Sequence, residues 1–289
     1  MKLISYQSER GPRVAVALSE GIVDVQDADS RLPSDMLSLL AGGSDALAQA
    51  QQAAVAAPAE ARLAVDAVKL LAPIPRPGKV ICVGLNYKDH AKETGREPPE
   101  EPVIFNKFPT AVIAPGEAIE LPPQSEKVDY EAELVVVIGR TAKNVGEAEA
   151  LNYVAGYCCG HDVSARDWQV GKPGGQWLLG KTFDTFAPLG PYLVTADEVG
   201  DPGQLTITFR LNGETLQDSH TSELIYPVPH LISYLSAVTT LEPGDCIFTG
   251  TPAGVGVARQ PRVFLKPGDT AEVEIQKLGV LQNPVIARP

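Results

Sequence analysis

Three acidic residues stand two apart in "VDYEAELVVVIG", residues 128–139: Asp129, Glu131 and Glu133. The apolar run 135–138 that follows belongs in a buried strand. Strand side chains alternate faces, so the three acids share one face. Adjacent carboxylates repel and are costly to bury. Either the strand end is wet, or Lys or Arg pairs with it, or a cation sits among the acids. Hard Mg²⁺ takes oxygen ligands and keeps several waters, and Glu131 and Glu133 can converge on one such ion.

Other segments offer the rest of a reactive site. In "VAGYCCGHDVSARDWQ", 154–169, an apolar strand ends at His161-Asp162. Asp162 either supplies a further oxygen ligand or shapes a turn. Ser164 is expected to N-cap a helix, with Asp167 at capping-box spacing. Arg166 and Gln169 then share a helix face. In "VICVGLNYKDHAKETG", 80–95, a strand breaks at Gly84 and enters a short helix carrying His90 and Glu93 three apart. A carboxylate that holds one imidazole nitrogen leaves the other as a base near neutral pH; the alternative is an ordinary charged surface turn. Lys181, set among apolar residues in "LLGKTFDTFAPLGP", is a strand-edge charge or a ligand for a substrate oxyanion. "GDCIFTGTPAGVG", 244–256, is a strand running into a Gly-rich loop without the Gly-Lys-Ser/Thr ending of a phosphate loop. Its N–H groups and the Thr251 hydroxyl can meet a carboxylate, or the loop is a plain tight turn.

These residues need a scaffold, and the chain is long enough to build one. It has 289 residues, 44% hydrophobic and 21% charged, an ordinary globular profile. Net charge is 24 − 36 = −12, which argues against a nucleic-acid partner. The N-terminal sequence turns polar before a secretory h-region forms, and no apolar run approaches the ~20 residues of a membrane span. A soluble cytoplasmic protein without membrane or nucleic-acid partners is therefore expected. Cys82, Cys158, Cys159 and Cys246 lack zinc spacing and read as reduced, buried thiols.

Residues 2–25 read as two or three strands, and the Ala-rich stretch 44–69 as helix interrupted at Pro58. "LTITFRLNGETLQDSH" reads as a hairpin turning at Asn212-Gly213. A helix is expected over roughly 228–238 and short antiparallel strands elsewhere in the C-terminal half. The fold class is α+β and β-rich. A small N-terminal domain over 1–72, a Pro-rich linker over 73–78 and a catalytic domain over 79–289 are expected.

The segments "GLNYKDHAKE", "PVIFNKFPTAVI", "VDYEAELVVVIG", "HDVSARDWQ", "QWLLGKTFDTFAPLGP", "NGE" and "GDCIFTGTPAGVG" occur in this order. Together they resemble the fumarylacetoacetate hydrolase family across about 78–289. The resemblance implies a mixed β-sheet roll and a homodimer. It implies Mg²⁺, with Mn²⁺ or Ca²⁺ as substitutes, held by Glu131, Glu133 and Asp162. It assigns His90 and Glu93 to acid–base work, Lys181 to stabilising a substrate oxyanion, and Arg166, Gln169 and Thr251 to the substrate pocket. The family's name-giving enzyme has a further metal-binding aspartate upstream of its histidine, whereas residues 81–85 here carry no carboxylate. That departure favours small 2-oxo or 2,4-dioxo acids. Oxaloacetate is the first candidate, by tautomerisation or decarboxylation through an enolate. Hydrolysis of acylpyruvates, fumarylpyruvate or diketo sugar acids, or ligand binding without turnover, are the alternatives.

Overall fold

The computed structural model describes residues 1–288. Its centre is a 12-stranded mixed sheet. From one edge run Arg62–Leu63, Gly21–Asp24, Gly11–Leu18, Lys2–Ser8, Ala187–Thr195, Val154–His161, Ala132–Ile138, Cys246–Phe248, Val80–Gly84 and Val103–Lys107. Two short strands, Lys69–Leu71 and Val112–Ile113, branch off this path. A five-stranded sheet holds Glu214–His220, Thr206–Leu211, Thr270–Ile275, Gly279–Ala287 and Ile119–Leu121. The largest apolar cluster lies between the sheets, where Leu134, Val136 and Ile138 meet Phe209, Val273 and Leu281. The other face of the central strand, Val135 and Val137, packs into a second cluster with Leu3, Val16, Leu39 and Leu40. Burial on both faces explains the unbroken run 134–138.

The fold is the β-rich α+β roll that the sequence implies. The hairpin turns at Asn212-Gly213, the helix spans Val228–Val238, and all four cysteines are free and buried. Strand Lys2–Ser8 pairs with Ala187–Thr195, so the N-terminal strands continue the central sheet. Among the described residues, no helix is long and apolar enough to cross a membrane.

Two local expectations are corrected. In the Ala-rich stretch, α-helix forms only over Gly43–Ala56, followed by single 3-10 turns at Ala59–Ala61 and Val65–Ala67. Beyond Pro58 the chain enters sheet, Arg62–Leu63 against Gly21–Asp24 and Lys69–Leu71 against Lys2–Ser8. Pairing with an open edge overrides the helix preference of alanine there. Ser164 caps no helix. It lies in a two-residue strand, Ser164–Ala165, paired with Val128–Asp129, and its hydroxyl donates to Asp162 O. The capping-box partner, Asp167, instead accepts from Ser125 Oγ and Glu126 N–H.

Candidate active site

Strand direction gathers the reactive residues at one edge of the central sheet. Cys246–Phe248 runs antiparallel to Ala132–Ile138 and parallel to Val80–Gly84. Val154–His161 runs antiparallel to Ala132–Ile138, with His161 opposite Ala132. The C-terminal ends of three strands thus meet the N-terminal end of the fourth. Those ends lead directly to the helix carrying His90, to Asp162, to Thr251 and to Glu131 with Glu133. A cavity of about 420 Å³ opens there, lined by His90, Glu131, Glu133 and Thr251 from three of these four ends.

The ligand atoms of Glu131, Glu133 and Asp162 all lie within 4.8 Å of one another, and all three residues are buried. Three converging carboxylates form an oxygen-only donor set that fits a hard divalent cation. Their surroundings differ. Glu131 Oε2 accepts from Lys181 Nζ at 2.6 Å, and its Oε1 lies 2.7 Å from Arg166 Nη2. Burial opposes ionisation of Glu131, but Lys181 and then Arg166 overcome it and hold the carboxyl below its usual range. Glu133 has one hydrogen-bond partner among the described residues, the Gly250 N–H at 2.8 Å. Burial, then Asp162 and Glu131, push its carboxyl well above the usual range. Gly250 has φ +107°, and a side chain there would meet Asn86 Cβ at 2.8 Å. Glycine is what allows that amide to face the carboxylate.

Asp129 leaves this group, which corrects the single acidic face expected from alternation. The chain breaks regular pairing between Val128–Asp129 and Ala132–Ile138. Asp129 turns to accept from Gly256 N–H at 2.7 Å, Val257 N–H at 3.0 Å and Arg166 Nε at 2.8 Å. Arg166 also donates from Nη1 to Gln169 Oε1 at 2.9 Å. Asp129 therefore ties the Gly-rich loop to the guanidinium that meets Glu131.

Lys181, at the end of the short helix Leu178–Lys181, donates to Glu131 and, at 2.8 Å, to Asp162 Oδ2. Its ammonium lies 5.0 Å from the Phe105 ring centroid. Burial works to deprotonate it, but Asp162 and Glu131 outweigh burial and raise its pKa. In helix Lys88–Glu93, His90 Nδ1 lies 3.3 Å from Glu93 Oε2, and Glu93 Oε1 accepts from Gly254 N–H at 2.9 Å. The spacing of three thus brings His90 and Glu93 together on the cavity wall. Thr251 lines the cavity too, but its hydroxyl donates to Ala132 O and accepts from Gln217 Nε2.

Lys107 and Gln217 escaped the sequence reading. Lys107 Nζ is buried 2.6 Å from Asp162 Oδ1 and donates to Val163 O at 3.0 Å, Phe186 O at 2.7 Å and Lys181 O. It binds together the backbone that delivers Asp162 and Lys181. Burial lowers its pKa, and Asp162 opposes that shift. A signal existed: Val103, Phe105 and Lys107 share the inward face of one strand. Gln217 accepts from Ala132 N–H at 2.9 Å and so finishes the strand end that carries the acids.

Comparison with known proteins joins this geometry to a lineage. Residues 79–286 match the model of the fumarylacetoacetate (FAA) hydrolase C-terminal family. The chain is 47% identical over 290 residues to a Xenopus laevis protein named oxaloacetate tautomerase fahd2, mitochondrial, covering 99% of this chain and 90% of that one. It superposes on the fumarylacetoacetate hydrolase of Exiguobacterium antarcticum with a TM-score of 0.86 at 36% identity, covering 100% of both chains. It superposes on a Sphingobium maleylpyruvate hydrolase in complex with manganese(II) and pyruvate, TM-score 0.80 at 29% identity, again over 100% of both chains. The Xenopus relative's name overturns the cytoplasmic expectation. A missing h-region speaks only to secretion, and mitochondrial leaders follow a different, amphipathic pattern.

Proposed function

The chain belongs to the fumarylacetoacetate hydrolase family of enzymes, and on that premise we propose that it tautomerises oxaloacetate with a divalent metal, Mg²⁺ in the first instance. The observation that carries this reading is the buried convergence of Glu131, Glu133 and Asp162 beside the His90–Glu93 pair. Those three acids would hold the ion. When bound, the ion supplies Lewis-acid stabilisation of negative charge on the oxygens of a 2-oxo acid. Mn²⁺ is supported as a substitute by the manganese in the Sphingobium structure.

The chain's own residues do the rest. His90, with Nδ1 beside Glu93, takes the C3 proton of the keto form through Nε2, and the resulting imidazolium gives a proton, directly or through water, to the C2 oxygen to form the enol; the reverse direction runs the same transfers backwards. Glu93, itself held by Gly254 N–H, fixes the ring and supports its positive charge. Lys181 has three N–H donors, two of them engaged by Glu131 and Asp162; the third supports charge on the substrate oxygen. Arg166, Gln169 and Thr251 shape the end of the pocket that takes the substrate carboxylate. The tautomerase reading is favoured over C–C hydrolysis because the relative so named is 47% identical, against 36% for the fumarylacetoacetate hydrolase and 29% for the maleylpyruvate hydrolase. A homodimer is proposed with it on family likeness alone. A division into residues 1–72, 73–78 and 79–289 is proposed from the family match over 79–286, with the N-terminal segment sharing the central sheet through Lys2–Ser8.

The test is oxaloacetate added to purified protein with Mg²⁺ and again with excess EDTA, following enol absorbance and pyruvate together. Faster enol–keto equilibration without pyruvate, abolished by EDTA, is the expected result. Enzyme-dependent pyruvate would instead mean decarboxylation. Rates equal to the protein-free control would remove oxaloacetate as the substrate.

A further inference from the structure

Three Lys or Arg side chains line the cavity: Arg96, Arg166 and Lys181. Two are committed to protein carboxylates. Arg166 binds Asp129 and Glu131, and Lys181 binds Glu131 and Asp162. Arg96 is different. Its side chain makes no hydrogen bond and no ion pair among the described residues, although it borders a cavity that also exposes Glu93, Glu131 and Glu133. The acid nearest in sequence within that wall, Glu93, has its two oxygens on His90 and Gly254.

The position of Arg96 is nonetheless built. Helix Lys88–Glu93 ends with Gly95 at φ +64°. Gly95 N–H donates to Lys92 O at 3.2 Å and Arg96 N–H donates to Ala91 O at 3.0 Å. That is the paired bonding of a Schellman cap, and glycine supplies its left-handed residue. The cap folds the chain back and fixes the Arg96 backbone to the same helix that carries His90 and Glu93. One element thus presents the proposed base and a guanidinium without a carboxylate partner to one cavity.

We propose that Arg96 is a specificity-determining residue that binds the distal carboxylate of a four-carbon 2-oxo dicarboxylic acid. This deepens the 2-oxo acid reading above and rests on it. The carboxylate and oxo group at one end of such a molecule go to the buried acidic site. The C4 carboxylate, on the far side of the reacting C3, then needs a cation that is not neutralised by the protein. Arg96 is the cavity residue with that property. A planar guanidinium also matches a carboxylate in bidentate fashion, which gives geometric selection as well as charge. A monocarboxylic 2-oxo acid leaves Arg96 in water and gains nothing from it.

The experiment compares wild type, Arg96→Ala and Arg96→Lys in the enol-depletion assay, with oxalate as competitive inhibitor. Oxalate carries the same double negative charge as oxaloacetate but has no distal arm, so it controls for long-range attraction. Arg96 is exposed, so the variants should fold; their melting temperatures check this. The expected result is a rise of about 10- to 100-fold in KM for oxaloacetate in Arg96→Ala, a smaller rise in Arg96→Lys, and an oxalate Ki within about twofold of wild type. Equal changes in KM and Ki would mean only a general field and would overturn the assignment, as would an unchanged KM. If wild type shows neither metal-dependent turnover nor metal-dependent oxalate binding, the 2-oxo acid reading fails and this one with it. If wild type shows both and only the Arg96 prediction misses, this inference alone is wrong.

Discussion

Replacing Glu133 with glutamine removes a carboxyl group that burial and two neighbouring acids force to hold a proton, and keeps the side chain's shape. The Gly250 N–H retains an acceptor. Glu131 and Asp162 each face cations, whereas Glu133 has none in direct contact among the described residues. At 4.8 Å and an effective dielectric constant of ~20, each like-charged neighbour opposes the Glu133 carboxylate by about 3.5 kcal/mol. Lys181, Lys107 and Arg166 offset part of this through the neighbours. Proton uptake limits the remainder. Keeping at pH 7 a proton that is ordinarily lost at 4.5 costs about 3.4 kcal/mol. We therefore expect Glu133→Gln to stabilise the metal-free protein by ~2–3 kcal/mol at pH 7. Unfolding entropy near ~2.1 cal/mol/K per residue converts this to a melting temperature about 3–5 °C higher. The sign follows from proton binding. Above pH 4.5 the folded wild type holds a proton that the unfolded chain has released, so wild-type stability falls as pH rises. The variant's advantage should grow from pH 5 to 7 and vanish below about 4.5. The assay is differential scanning fluorimetry in EDTA and in Mn²⁺ or Mg²⁺. Wild type should gain about 2.7 kcal/mol when metal reaches 100 times its Kd, and the variant should gain little. A variant that melts below wild type in EDTA at pH 7, or keeps the full metal-dependent rise, would refute the reasoning.

Lys107→Met should behave in the opposite way. It leaves Asp162 and three buried carbonyls without their donor, and breaking a buried pair from one side costs ~3–5 kcal/mol, a drop of about 5–8 °C in melting temperature. An unchanged melting curve would show that the contact adds nothing. His90→Ala should lower kcat by ~10²–10⁴ while the metal-dependent melting shift survives, since His90 is not among the converging acids. Loss of that shift would place His90 in the metal site instead of in proton transfer.

The parts of the site legible in the sequence are those fixed by local geometry. His90 and Glu93 meet because three residues span one side of a helical turn, and Glu131 and Glu133 meet because strand residues two apart face alike. The same alternation fails for Asp129, because the ladder is interrupted at residues 130 and 131 and the side chain swings to the Gly-rich loop. That interruption is nonlocal in origin: Val128–Asp129 pairs with Ser164–Ala165 rather than with the strands that hold Ala132–Ile138. The pairing also removes Ser164 from the helix start it was expected to cap.

Lys107 marks the boundary most clearly. The alternation in "VIFNK" puts a lysine on the inward face with Val103 and Phe105, and a buried ammonium must find acceptors. The sequence therefore carries the demand. It does not carry the address, because the acceptors lie 56 to 79 residues away and the nearest acid, Asp162, arrives from a different strand. Strand order supplies it. Val103–Lys107 forms the end of the sheet path beside Val80–Gly84, and the strands bearing Glu131 and Asp162 lie two and three places inward from Val80–Gly84. Lys107 and Lys181 then approach Asp162 from opposite oxygens, at 2.6 and 2.8 Å. One of these lysines was singled out from sequence and the other was not, although their contacts with Asp162 are alike. The difference lies in what else each touches. Lys107 spends its remaining donors on backbone carbonyls and is sealed from the cavity, whereas Lys181 lines the cavity and keeps a donor for the proposed substrate. Both lysines are buried, so the proposed division between positioning and catalysis follows from what each side chain faces, backbone carbonyls for Lys107 and the cavity for Lys181.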